Sequence, residues 1–203
     1  MIGNYIKAAA VAVSRSTAKL MKTGQTTSYR TGDDGDFEAG RNVSFTVLAE
    51  NNPFGNTNRF TDELGGQTYT KNIVIDWSTY DGSTVLGWRR TLNGVNITWA
   101  NAIDGALAIS IAPFTSGWRL PNIMELYSLC AYTTAYTLAT NYPPLNISSN
   151  IQIWSSTTDR NSTTAALNLS SNVGTSFSSA KTASTGLQYI PCRTFTVTGT
   201  TLS

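Results

Sequence analysis

Apolar positions recur along this chain with two different periods. Residues 73–77, Ile-Val-Ile-Asp-Trp, are a compact apolar run that predicts a strand. Asp81-Gly82 is a turn signal, and residues 85–89 read as a second strand pairing back across it. The period then lengthens. Trp99, Ala102, Ile103, Ala106 and Leu107 fall at i, i+3, i+4, i+7 and i+8, one apolar helical face with Thr98 as the expected N-cap. A second helix is predicted from Asn122, with Glu125 three residues on as an Asn variant of the capping box, and Ile123, Leu126, Leu129 and Cys130 facing inward. Past Pro143 alternation returns, and residues 151–155, 165–170, 173–177 and 187–197 read as strands separated by Ser/Thr/Asn/Gly clusters. Strands flanking two central helices indicate an α+β fold rather than a doubly wound sheet.

Upstream of these elements the pattern weakens. Residues 1–22 carry the apolar run 8–13, shorter than the roughly 7–15 residues of a signal-peptide core, so cleaved export is not expected. The Ala-rich composition suits a helical arm, packed on its own domain or docked on a neighbouring subunit. Residues 23–66 hold TGQTTS, TGDDGD and NNPFGNTN, turn-rich stretches that read as long ordered loops. No run reaches the ~18 apolar residues of a membrane-spanning helix. The organisation is therefore an arm, 1–22, and one domain, 23–203.

Composition narrows the function. Charged residues make up 13% of the chain, against about 25% in an ordinary globular protein. Neutral polarity replaces them, with 31 Thr, 21 Ser and 17 Asn. A net charge of +2 without a Lys/Arg cluster offers no electrostatic footprint for nucleic acid. The absence of His removes Ser-His-Asp triads, Cys-His dyads and His-ligated zinc. Cys130 and Cys192 allow one disulfide or two buried thiols.

Five ordered blocks carry an identity. They are Thr23-Gly24-Gln25-Thr26, the turn Asp34-Gly35-Asp36 with Gly40, Trp99 with Ala102 and then Trp118-Arg119-Leu120-Pro121-Asn122 with Glu125-Leu126, Trp154-Ser155-Ser156-Thr157, and Cys192-Arg193. Over residues 23–193 this order resembles the DUF1566 family, also called the Lcl C-terminal domain. The resemblance implies a C-type-lectin-like fold, two helices packed on a small twisted antiparallel sheet with long ordered loops. It also implies an adhesive or ligand-binding role, as in bacterial surface and secreted proteins and in bacteriophage proteins. A departure falls at residues 67–90, an apparent insert that would rebuild the loop face. In physical terms Trp99, Trp118, Arg119, Pro121, Glu125, Trp154 and Arg193 read as fold-defining: large rings fill a core, and the Arg119 fork suits loop carbonyls or the Glu125 carboxylate.

Two candidate sites remain. Asp33, Asp34 and Asp36 offer hard oxygen ligands suited to calcium, or else Asx turns bonded to their own backbone. Trp77, Tyr80, Trp88, Asn93 and Asn96 combine rings that stack with amides that bond hydroxyls, as a glycan or an uncharged protein surface would require. No cofactor and no acid/base pair is expected, so the chain reads as non-enzymatic. The expected role is recognition or assembly in a phage virion, as an adhesin, fibre or decoration protein and a homo-oligomer among other virion proteins. The second reading is a bacterial surface or secreted adhesin domain that binds glycans or a host receptor.

Overall fold

The computed structural model describes residues 28, 31, 48, 50–67, 69, 72–130, 145, 147, 150–172 and 174–203. The arm, 1–22, lies outside them. Among the described residues the chain is mostly β, with two sheets and two short helices, an α+β arrangement. The first sheet takes β1 (Phe60–Thr61), β2 (Ile73–Asp76), β3 (Thr84–Arg89), β8 (Cys192–Thr198) and β9 (Thr201–Leu202), in that spatial order and antiparallel throughout. The second has the order β6 (Ser176–Ala180), β5 (Ser162–Ser170), β4 (Gln152–Asp159), β7 (Leu187–Gln188). Its last pair, β4 with β7, is parallel. A single small antiparallel sheet was the expectation; two sheets, one of them mixed, are the finding.

The apparent insert at 67–90 is not a loop face. Strands β2 and β3 pair from Ile73↔Arg89 to Asp76↔Leu86, and β3 pairs onward with β8, so both sit inside the first sheet. All four residues of β2 are buried, which explains a continuous apolar run where alternation would mark a half-exposed strand. Asp81 closes the connection as the turn signal predicts, accepting N–H bonds from Ser83 at 2.8 Å and Thr84 at 2.7 Å.

The helices are α1 (Trp99–Leu107) and α2 (Ile123–Ser128). The α2 capping box forms in full, with Asn122 Oδ1 accepting from Glu125 N–H at 2.9 Å and Glu125 Oε2 accepting from Asn122 N–H at 2.8 Å. Thr98 precedes α1 but its side chain makes no cap bond; the Trp99 N–H instead donates to the Lys181 carbonyl at 3.1 Å. Leu107, expected on the inner face, is 62% exposed, since burial ends with Ala106.

The core has three parts that follow strand alternation. Val74, Leu86, Trp88 and Cys192 from the first sheet meet Leu126 and Leu129 of the α2 end and Ile153 and Leu169 of the second sheet. On the opposite face of the first sheet, Ile73, Ile75, Val85 and Phe195 pack with Phe114 and Trp118. On the opposite face of the second, Trp154 and Ala166 receive Ala102 and Ala106 of α1. The expected strand 187–197 is split: Pro191 follows two residues that leave the second sheet, and β8 begins in the first at Cys192. No helix among the described residues is long and apolar enough to cross a membrane.

Candidate functional site

The fold-defining residues form one connected framework. Both terminal nitrogens of Arg119 fork onto Glu125, at 2.8 and 2.6 Å, so the capping carboxylate of α2 is also an ion-pair partner. The Glu125 hydrogen bond holds the guanidinium above its already high ordinary pKa. The Trp-Ser-Ser-Thr segment of β4 then docks on the Leu-Pro-Asn segment: Ser156 N–H donates to the Pro121 carbonyl at 2.7 Å, and Ile123 N–H donates to Thr157 Oγ1 at 3.0 Å. Each indole N–H of the family blocks has a carbonyl acceptor at 2.8 Å: Trp99 on Ser155, Trp118 on Phe114 and Trp154 on Ile97. Lys181 Nζ sits 4.2 Å from the Trp99 ring centre and donates to Thr158 Oγ1. Arg193 stacks on Phe114 and Phe195, with its guanidinium carbon 5.0 and 4.8 Å from the ring centres.

Cys130 and Cys192 are buried thiols rather than a bridge. Cys192 Sγ lies 4.0 Å from Glu125 Oε2, and burial first, then that negative charge, pushes its thiol pKa well above the ordinary range. Such a thiol is a packing group and not a nucleophile.

The aromatic and amide set proposed from sequence is not brought together. Trp77 is 3% exposed and Trp88 0%, in different parts of the core. Tyr80 is half-buried, edge-on to Trp77 at 5.7 Å, with its hydroxyl donated to the Gly82 carbonyl. Asn93 is bridged to Tyr189 through both backbone groups, while Asn96 is exposed and accepts from Gly186 N–H at 2.8 Å. The rings therefore serve packing, because strands β2 and β3 are covered on both faces. Asp33, Asp34 and Asp36 lie outside the described residues.

An accessible concave surface occurs elsewhere. An open hollow of about 490 Å³ lies between residues 157–161, at the bulged end of β4 and the turn after it, and Ser176, Phe177 and Ser178 of β6, with Leu167 between them. The Phe177 ring is 45% exposed. The Ser178 hydroxyl, then the Asn161 N–H, keep Asp159 below the usual carboxylate range, so it stays ionised and oriented. At the edge strand β6, Tyr127 accepts from the outward Ser176 N–H at 3.1 Å, and the Ala180 carbonyl accepts from Ala183 N–H at 2.8 Å, so both ends of the open edge are capped. In the sequence Ser-Phe-Ser-Ser-Ala reads only as one more alternating strand, which hides this region. The signal that could have marked it is an aromatic residue alternating with serines on a strand of low hydrophobicity, next to the Asp-Arg-Asn turn.

A model of the Lcl C-terminal domain family matches residues 78–190. The chain belongs to the Lcl C-terminal domain family. That match is narrower than the 23–193 span of the sequence blocks, and it takes in part of the apparent insert. It also covers the Arg119–Glu125 framework and the whole hollow. The stretch matched by the family thus includes an accessible concavity with polar walls. No curated protein matches the chain.

Proposed function

We propose that this chain is a non-enzymatic recognition or assembly protein with a C-type-lectin-like fold, a bacteriophage virion component acting as an adhesin, fibre or decoration protein through its surface. The observation that carries this reading is the hollow beside β6. A half-exposed Phe177 ring lies among hydroxyls, with Asp159 and Asn161 on the facing wall. Rings stack on the apolar face of a sugar, and oriented carboxylates and amides accept and donate to its hydroxyls. The partner best suited is a neutral glycan, or a neutral, polar protein surface. Homo-oligomers would present several such hollows at once and raise avidity. Calcium at Asp33, Asp34 and Asp36 belongs to this reading as an accessory ion only.

The same hollow would serve a bacterial surface or secreted adhesin domain, the second reading, since the Phe177 ring favours a saccharide in either setting. A glycan array and a host-cell binding assay, each run with calcium and with chelator, test the proposal. Wild-type binding that falls with Phe177→Ala or Asp159→Asn is expected. Binding to neither glycans, cells nor virion proteins would overturn a recognition role. Light scattering on the full chain and on a chain lacking 1–22 tests the oligomer; two identical monomers would exclude the arm as an assembly device.

A further inference from the structure

Arginines near the first sheet differ in their partners, and Arg90 donates to the Tyr69 carbonyl at 3.1 Å. Arg59 forks onto Asp76, and Arg119 forks onto Glu125. The side chains of Arg89 and Arg193 have no ion pair and donate no hydrogen bond among the described residues. They are also neighbours. Arg193 pairs with Gly87 across β3–β8, and Arg89, two residues along β3, donates its N–H to the Pro191 carbonyl at 2.9 Å. Alternation therefore places both side chains on the sheet face of Val85 and Phe195, as diagonal neighbours whose Cα atoms stand about 7–8 Å apart, within reach of two long side chains.

We propose that Arg89 and Arg193 form an anion-binding site on this face, taking one carboxylate or phosphate group presented by a ligand or partner. Long cationic side chains commonly lay their stems on apolar surface and leave the head in water. Here one nitrogen of each half-buried residue, Arg89 Nε and Arg193 Nη1, is shut off from solvent and has no hydrogen-bond partner. A buried donor without an acceptor is costly, more so when it is charged. One oxyanion between the two side chains relieves both, since guanidinium forks match planar or tetrahedral oxygens in two-bond geometry. The site is also held in shape. Phe114 and Phe195 stack on the Arg193 guanidinium, and a Cβ on Gly117 would stand 3.2 Å from Arg193 Nε, so the 114–118 segment closes over it. Burial lowers the Arg193 pKa, as expected for a cation still lacking its counter-charge. This site is separate from the hollow and does not depend on the saccharide reading.

The test is titration of the full chain with inorganic phosphate and with acetate, at constant ionic strength, followed by the arginine Nε–Hε NMR signals and by thermal melting. Saturable shifts at Arg89 and Arg193 with a rise in Tm are expected. Arg89→Gln and Arg193→Gln should each weaken the interaction about tenfold or more, the loss of one charge-assisted bond. Lys181→Gln makes the same charge change beside Trp99, at the second sheet, and should leave it intact. Preference for phosphate points to a phosphorylated partner, and preference for acetate to an acidic side chain or chain terminus; either supports the site. Shifts that never saturate with either anion, or an equal loss in Lys181→Gln, would overturn it.

Discussion

The Phe195 ring lies across Gly87 of the neighbouring strand, so closely that a Cβ on Gly87 would stand 2.4 Å from the ring edge and 3.0 Å from Ile75 Cδ1. Gly87→Ala should therefore destabilise by overpacking, about 1–3 kcal/mol. Urea unfolding would measure it, and an unchanged midpoint would mean that the ring can move aside.

Arg59 and Asp76 meet by two hydrogen bonds of 2.9 and 2.8 Å at 2% and 0% exposure. Arg59 also donates to the Ser128 carbonyl at the end of α2, and Asp76 accepts from Ser78. Removing one partner strands the other, so Asp76→Ala should cost about 3–5 kcal/mol. The double variant Arg59→Met/Asp76→Leu should recover part of that loss in the same unfolding assay.

Glu125 is shared between the α2 cap and the Arg119 fork, and the pair is partly exposed. Glu125→Gln keeps the capping geometry but loses the ion pair; a loss of about 1 kcal/mol is expected after allowance for solvent screening. Arg119→Lys should behave similarly, because an ammonium cannot reproduce the fork.

Asp81 accepts from two N–H groups and two hydroxyls in the β2–β3 connection, with the Thr84 N–H the largest influence, and its pKa lies well below the usual carboxylate value. A folded-state pKa below the unfolded one contributes stability that is complete above about pH 4 and is lost as the pH falls further. Asp81→Ala should lower stability at neutral pH and flatten the acid limb of the stability profile. Parallel profiles for the two proteins would contradict this.

Both cysteine thiols are buried. A thiol reagent should find neither in the native chain and both after denaturation without reductant. Native reactivity, or two thiols released only by reductant, would contradict the packing described.

Much of the fold was legible in local signals. The Asn122 cap, the Asp81 turn and the inward row Ile123, Leu126, Leu129 are decided by residues a few positions apart, and each forms as read. What was hidden is non-local. Whether Trp77 and Trp88 line a core or a binding face depends on what covers strands β2 and β3, and that cover arrives from residues 114–129 and 192–197. The hollow depends on the bulge that breaks register between Trp154 and Asp159, which no turn residue announces. The fork between Arg119 and Glu125 was readable because six residues separate them; that between Arg59 and Asp76, seventeen apart, was not.

The switch of sheets between Gln188 and Cys192 has a mechanical consequence. The two sheets are stitched together by a three-residue seam, and Tyr189, Ile190 and Pro191 within it are all buried. Neither sheet can peel away without dragging buried side chains of the seam into water. Tension applied along β8 would reach this seam and pull on both sheets together.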